Sequence, residues 1–144
     1  MLIIDGVKGM ADQDSLTSQI EAAIEAGEKF TKIFYETFDK KRHMISKLYH
    51  DTAQLLWEGN PVSGKDAIQK FLQDLPGCYH NIDCFDSQPV LQQFTEGKST
   101  VVVSVSGTVK YDSNTLRGFT QNFTLTSTDD VWKIISDSLR LRDP

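Results

Sequence analysis

From residue 99 onward, apolar and polar residues alternate one by one, and that period of two constrains this chain more than any other feature. Over 99–111, Val101, Val103, Val105, Val109 and Tyr111 share one side, while Thr100, Val102, Ser104, Thr108 and Lys110 share the other. Phe119, Gln121, Phe123 and Leu125 alternate in the same way with Thr120, Asn122, Thr124 and Thr126. Neighbouring side chains on a strand point to opposite faces, so such segments make a sheet with one buried side. Asp112-Ser113-Asn114 is hairpin-turn chemistry between the first two strands, Ser127 to Asp130 turns the chain again, and Val131 to Leu141 closes the sheet. Residues 79–91 read as one more strand, in which Asp83, Asp86 and Pro89 predict a bend or bulge.

The first half has a different period. Leu16, Ile20, Ile24, Gly27, Phe30, Phe34 and Phe38 recur at steps of three and four, which places them on one face of a helix capped near Asp14, Ser15 or Ser18. Residues 1–14 carry no periodicity and read as a flexible extension before a domain over 15–144. A short second helix is expected over Lys40 to Tyr49, a strand over Ala53 to Trp57, and a turn at Gly59-Asn60-Pro61. Ser63 is placed to cap a third helix whose buried stripe is Ala67, Ile68, Phe71, Leu72 and Leu75, ended by Pro76-Gly77. Helices followed by a run of antiparallel strands mean an α+β domain: three N-terminal helices packed on one strongly curved antiparallel sheet. The other sheet face mixes Thr and Ser with Val and Ile. It is too apolar for open solvent and too polar for a core, so it suits a partner surface.

A chain of 144 residues is one domain's worth. Fifteen Lys and Arg against twenty Asp and Glu give a net charge of −5, which argues against direct nucleic-acid binding. The cations from Lys40 to Lys47 lack the aromatic platforms that hold RNA and read as a solvated helix end. Cys78 and Cys84 make no disulfide framework, and with His43, His50 and His80 they match no zinc spacing, so neither a metal nor a cofactor is expected. The apolar run Met1 to Ile4 is too short for a leader or a membrane span.

Several segments together resemble the nuclear transport factor 2-like family. They are Phe34-Tyr35-Glu36-Thr37-Phe38-Asp39-Lys40-Lys41-Arg42, Leu48-Tyr49, Leu56-Trp57-Glu58-Gly59-Asn60, Val62-Ser63-Gly64 and Leu75-Pro76. The second half adds Gln88-Pro89-Val90, Ser106-Gly107-Thr108-Val109-Lys110, Phe119-Thr120-Gln121-Asn122-Phe123 and Trp132-Lys133-Ile134-Ile135-Ser136-Asp137. The resemblance covers roughly residues 18–142. Lys40-Lys41-Arg42, Gln121-Asn122-Phe123 and Ser136-Asp137-Ser138-Leu139-Arg140 are most similar to the branch whose members pair with the large nuclear RNA export factor. That likeness implies a cone-shaped fold and a heterodimer built sheet to sheet. It also implies a non-enzymatic role in messenger RNA export, shuttling between nucleus and cytoplasm. Phenylalanine-glycine nucleoporins would be held mainly through the partner, with no membrane contact.

The sister branch is a homodimeric carrier that imports Ran in its GDP form and catches it with acidic residues. Trp57-Glu58-Gly59 stands where the export branch usually has Trp-Asn-Gly, so Glu58 and Asp112 match two of those acids, while Asn114 holds the third position. A further alternative is a cavity enzyme of the isomerase or dehydratase type, with Tyr35, Tyr49 and Asp137 lining the cavity. For the partner face the expected residues are Arg140, Ser136, Ser138, Gln121 and Trp132. Uninterrupted alternation puts Trp132, Ile134, Ser136, Ser138 and Arg140 on one side and Val131, Ile135, Leu139 and Leu141 in the core. The resemblance implies a carboxylate of the large subunit opposite Arg140.

Overall fold

The computed structural model describes residues 8–91, 99–128 and 131–144. Residues 1–7 of the expected extension and the tip of the turn expected at Ser127 to Asp130 lie outside that set. Helix α1 runs over Lys8–Lys40, 33 residues and about 50 Å long. Asp14, Ser15 and Ser18 therefore lie inside the helix rather than at its start. A 3₁₀ helix (Arg42–Leu48) follows, then β1 (Tyr49–Trp57), β2 (Asn60–Ser63), α2 (Lys65–Gln73), β3 (Cys78–Val90), β4 (Thr100–Tyr111), β5 (Leu116–Thr128) and β6 (Val131–Arg142).

The six strands form one curled, unclosed sheet in the order β2-β1-β6-β5-β4-β3. It is mixed rather than wholly antiparallel, because β1 lies parallel to β6. Strand β2 replaces the turn expected at Pro61. A two-residue turn, Glu58-Gly59, joins it to β1 with both residues left-handed (φ 47° and 84°), the hairpin geometry that matches strand twist. Ser63 belongs to β2 and donates to Gln54 Oε1 at 2.7 Å, so Gly64 stands at the N-cap of α2 and offers no side-chain cap.

The inner face of the sheet holds the core. Val101, Val103, Val105 and Val109 of β4, Phe119, Phe123 and Leu125 of β5, and Ile134 and Leu139 of β6 are all buried. From α1 they meet Ala23, Phe30, Phe34, Tyr35 and Phe38, and from α2 Ile68 and Leu72. Phe34 and Phe123 pack edge to face, with ring centres 4.7 Å apart. The expected helical stripe is correct from Gly27 onward, but Leu16, Ile20 and Ile24 are exposed, because Ala23 takes the inward position there. Gly27 has a structural reason. A side chain there would collide with Ser87 of β3, whose hydroxyl donates to the Ala23 carbonyl at 2.6 Å, so the helix can press against the strand.

Two bulges change the pattern of alternation. One falls at Asp83 in β3, where a bend was expected. The other was not expected. Thr124 pairs with Ser136 and Leu125 with Ile134, so Ile135 is an extra residue in β6. The faces exchange across it. Ile134 is in the core and Trp132 packs against it, whereas Val131 (52% exposed) and Ile135 (36%) point away. Beyond the bulge, Leu139 and Leu141 face inward as expected.

Candidate functional site

The strand register builds the outer sheet face row by row. Asp86, Ser104, Asn122, Ser138, Leu56 and Pro61 lie side by side across all six strands. Gln88, Val102, Thr124, Ser136, Gln54 and Ser63 make the next row, and Cys84, Ser106, Thr120 and Arg140 the row on the other side. Leu56 of β1 and Val102 of β4 are large apolar side chains left exposed on this surface, each one strand in from an edge and separated by the polar β6 and β5. Around them runs a shallow groove of about 340 Å³, lined among others by Gln54, Pro61, Asn122, Ser136 and Ser138. The polar groups bond sideways: Ser104 to Asn122 Oδ1 at 2.6 Å, and Arg142 to Thr120 Oγ1 at 2.8 Å. Arg140 is exposed beside Thr120 and has no ion-pair partner among the described residues.

Three of the five residues expected on this face, Arg140, Ser136 and Ser138, are on it. Gln121 and Trp132 are not. Trp132 is turned inward by the Ile135 bulge and lies against α1. Gln121 is 1% exposed and belongs to a buried polar centre under the sheet.

That centre joins the three residues of the cavity reading. Tyr49 donates its hydroxyl to Asp137 Oδ2 at 2.6 Å, Gln121 Nε2 donates to Asp137 Oδ1 at 2.9 Å, and Tyr35 donates to Gln121 Oε1 at 2.8 Å. Burial pushes the Asp137 carboxyl up to about 7, against the pull of the Tyr49 and Gln121 hydrogen bonds. Burial also holds both tyrosine hydroxyls well above their ordinary value, helped by the Asp137 charge. Both Asp137 oxygens are taken by protein donors, and the carboxyl is sealed at 3% exposure. The four side chains thus form one continuous buried hydrogen-bonded network.

A second polar cluster ties the end of α1 to the edge strand β3. Asp39 accepts the His80 backbone N–H at 2.9 Å through Oδ2 and faces the His80 ring nitrogen Nδ1 at 2.7 Å through Oδ1. His80 is therefore buried. Arg42 is also drawn out of the expected solvated cluster. It donates to the carbonyls of Phe38, Leu72 and Leu75, closing the ends of α1 and α2, and lies over the Phe38 ring. The two acids of the Ran reading, Glu58 and Asp112, are exposed in separate hairpin turns that flank Tyr111. Asn114 occupies a left-handed position (φ 64°) in its turn, where Asn is well tolerated.

Comparison with known proteins settles the family. The model of the nuclear transport factor 2 (NTF2) domain matches residues 26–141. The chain belongs to the NTF2 domain family. It is 43% identical over 138 residues to human NTF2-related export protein 2, covering 93% of this chain and 97% of that one. It is 30% identical over 135 residues to nuclear transport factor 2 of Schizosaccharomyces pombe, covering 92% and 98%. Among solved structures, nuclear transport factor 2 from Cryptosporidium parvum superposes with a TM-score of 0.74 at 27% identity, covering 83% of this chain and 94% of that one. A putative scytalone dehydratase from Novosphingobium aromaticivorans has the same fold, with a TM-score of 0.68 at 18% identity over 87% of each chain.

Proposed function

We propose that this chain is a non-enzymatic adaptor of nuclear export that pairs, outer sheet face to outer sheet face, with a nuclear RNA export factor. The observation that carries the reading is that face itself. It is a six-strand surface with Leu56 and Val102 exposed on either side of a polar middle, and with no acid paired to Arg140 among the described residues. An interface of that composition buries its exposed apolar side chains and uses a charge pair for orientation. Relatives named as export proteins support the direction of transport, and the higher identity to the human export protein than to the Schizosaccharomyces pombe nuclear transport factor 2 favours export over import. The closed hydrogen bonding of Asp137 supports a role without catalysis. RNA and phenylalanine-glycine nucleoporins would be held mainly by the partner, and the pair would shuttle through the nuclear pore. The test is co-expression with the transport-factor-like domain of an export factor, followed by light scattering. A stable 1:1 heterodimer burying more than about 1,200 Å² supports the reading. A tight homodimer that ignores the export factor overturns it.

Glu58 and Asp112 favour a second reading, the Ran carrier. With Asn114 neutral, no Ran·GDP binding is expected at micromolar concentration. Sub-micromolar binding that Glu58→Lys abolishes would replace the export reading.

A further inference from the structure

Asp39, Cys78 and His80 converge at the junction of α1 and β3. Cys78 and His80 are two apart on one strand, so both side chains leave the same face of β3. Asp39 comes from the last turn of α1. One ligating atom from each residue, Oδ1, Sγ and a ring nitrogen, lies within 4.8 Å of the other two. The Oδ1 to Sγ separation is 3.6 Å. Two ligands of a tetrahedral zinc ion, one oxygen and one sulfur, stand about 3.6 Å apart, and an oxygen and a nitrogen about 3.3 Å apart. The sulfur edge already has that length, and the 2.7 Å Oδ1 to Nδ1 edge needs to open by roughly 0.6 Å.

We propose that these three side chains form a binding site for a single Zn²⁺ ion, with the fourth position left to water. The donor set of thiolate, imidazole and carboxylate suits a borderline-soft divalent ion and no hard one. The charges balance: one carboxylate and one thiolate offset the two positive charges of the ion. Supporting contacts are already present. Asp39 Oδ2 is oriented by the His80 backbone N–H, and Arg42 Nη2 stands 3.4 Å from Cys78 Sγ, where it can donate to a bound thiolate. Arg42 itself is fixed by three backbone carbonyls and cannot swing onto the metal position. Without metal the Cys78 thiol keeps its proton, held up to about 12 chiefly by burial. Binding must displace the thiol proton, because the thiolate is the ligand. Cysteine and histidine spacing along the chain gives no hint of this site, because its third ligand is 39 residues from Cys78 and arrives only with the fold.

The experiment is a titration of the full, reduced chain with Co²⁺, followed by competition between Zn²⁺ and a chromophoric chelator. The expected result is a sulfur-to-cobalt charge-transfer band with tetrahedral visible bands, saturating at one ion per chain. Cys78→Ser should abolish the band and weaken Zn²⁺ at least tenfold, and His80→Gln should weaken Zn²⁺ about tenfold or more. Cys84→Ser, far from the cluster on the outer face, should change neither. Circular dichroism checks that each variant is folded, and if His80→Gln fails to fold the two cysteine variants decide the matter. Absence of the band at millimolar Co²⁺, or a band that follows Cys84 instead of Cys78, overturns the proposal.

Discussion

Successive residues of β6 and β5 lie in opposite environments. Asp137 and Gln121 point inward, where both carboxyl oxygens and both ends of the amide are bonded to protein. Ser136, Ser138, Asn122 and Arg140 point outward on the same two strands, where Ser104 bonds sideways to Asn122 and Arg140 meets no acid among the described residues. The inner face is polar chemistry that is finished; the outer face is polar chemistry still open to a second molecule. A buried polar group must find its partners within the chain, whereas a surface group can wait for them.

The sharpest way to break that contrast is to place one charge on each face of β4. Val103→Asp buries a carboxylate in the core and should cost on the order of 4 kcal/mol or more, enough to unfold the chain. Its neighbour Val102→Asp should leave the stability of the isolated chain within about 0.5 kcal/mol while abolishing pairing with the export factor. Chemical denaturation and light scattering of the two variants read both effects.

The buried centre has its own signature in pH. Asp137 binds its proton more tightly in the folded chain, at about 7, than in the unfolded chain, at about 4. The folded state therefore holds the extra proton between those values, and stability should fall as pH rises through the window and level off above it, by a few kcal/mol in all. Asp137→Asn should flatten the slope and raise stability at pH 8. Denaturation curves from pH 4 to 8 measure this. Outer-face variants such as Ser138→Ala should leave the slope unchanged.

Smaller effects test the supports of the two faces. Gly27→Ala drives a methyl group into Ser87 and should cost about 1–3 kcal/mol in thermal or chemical unfolding. Glu58→Asn relieves a left-handed glutamate in the β1–β2 turn and should add about 1 kcal/mol, without affecting the buried centre.

The period of two made β4 and β5 readable, down to which valines and phenylalanines are buried. It misled in β6, because one inserted residue at Ile135 exchanges the faces and nothing in Lys133-Ile134-Ile135-Ser136 marks an insertion. Trp132 was assigned to the wrong side for that reason. Gln121 alternates with Phe119 and Phe123 and so faces inward, not toward a partner; a lone Gln in an apolar row signals a buried bonding partner. Strand β2 is four residues long and contains Pro61, too short and too irregular for periodicity to show. The parallel pairing of β1 with β6 joins segments some eighty residues apart, and no local pattern encodes it. The Asp39–His80 pair is invisible in the same way, since only the packing of α1 along β3 brings the two together.

A docking role for the outer face makes Arg140 its orienting charge. The most direct measurement is the heterodimer affinity of Arg140→Asp by calorimetric titration, with the fold of the isolated variant checked first. Arg140 lies opposite the core, so the chain should fold normally while pairing weakens by several kcal/mol, and a partner with its opposing acid reversed to Lys should recover part of the loss. An affinity within twofold of the original would leave Arg140 a solvated strand-end residue and contradict the account.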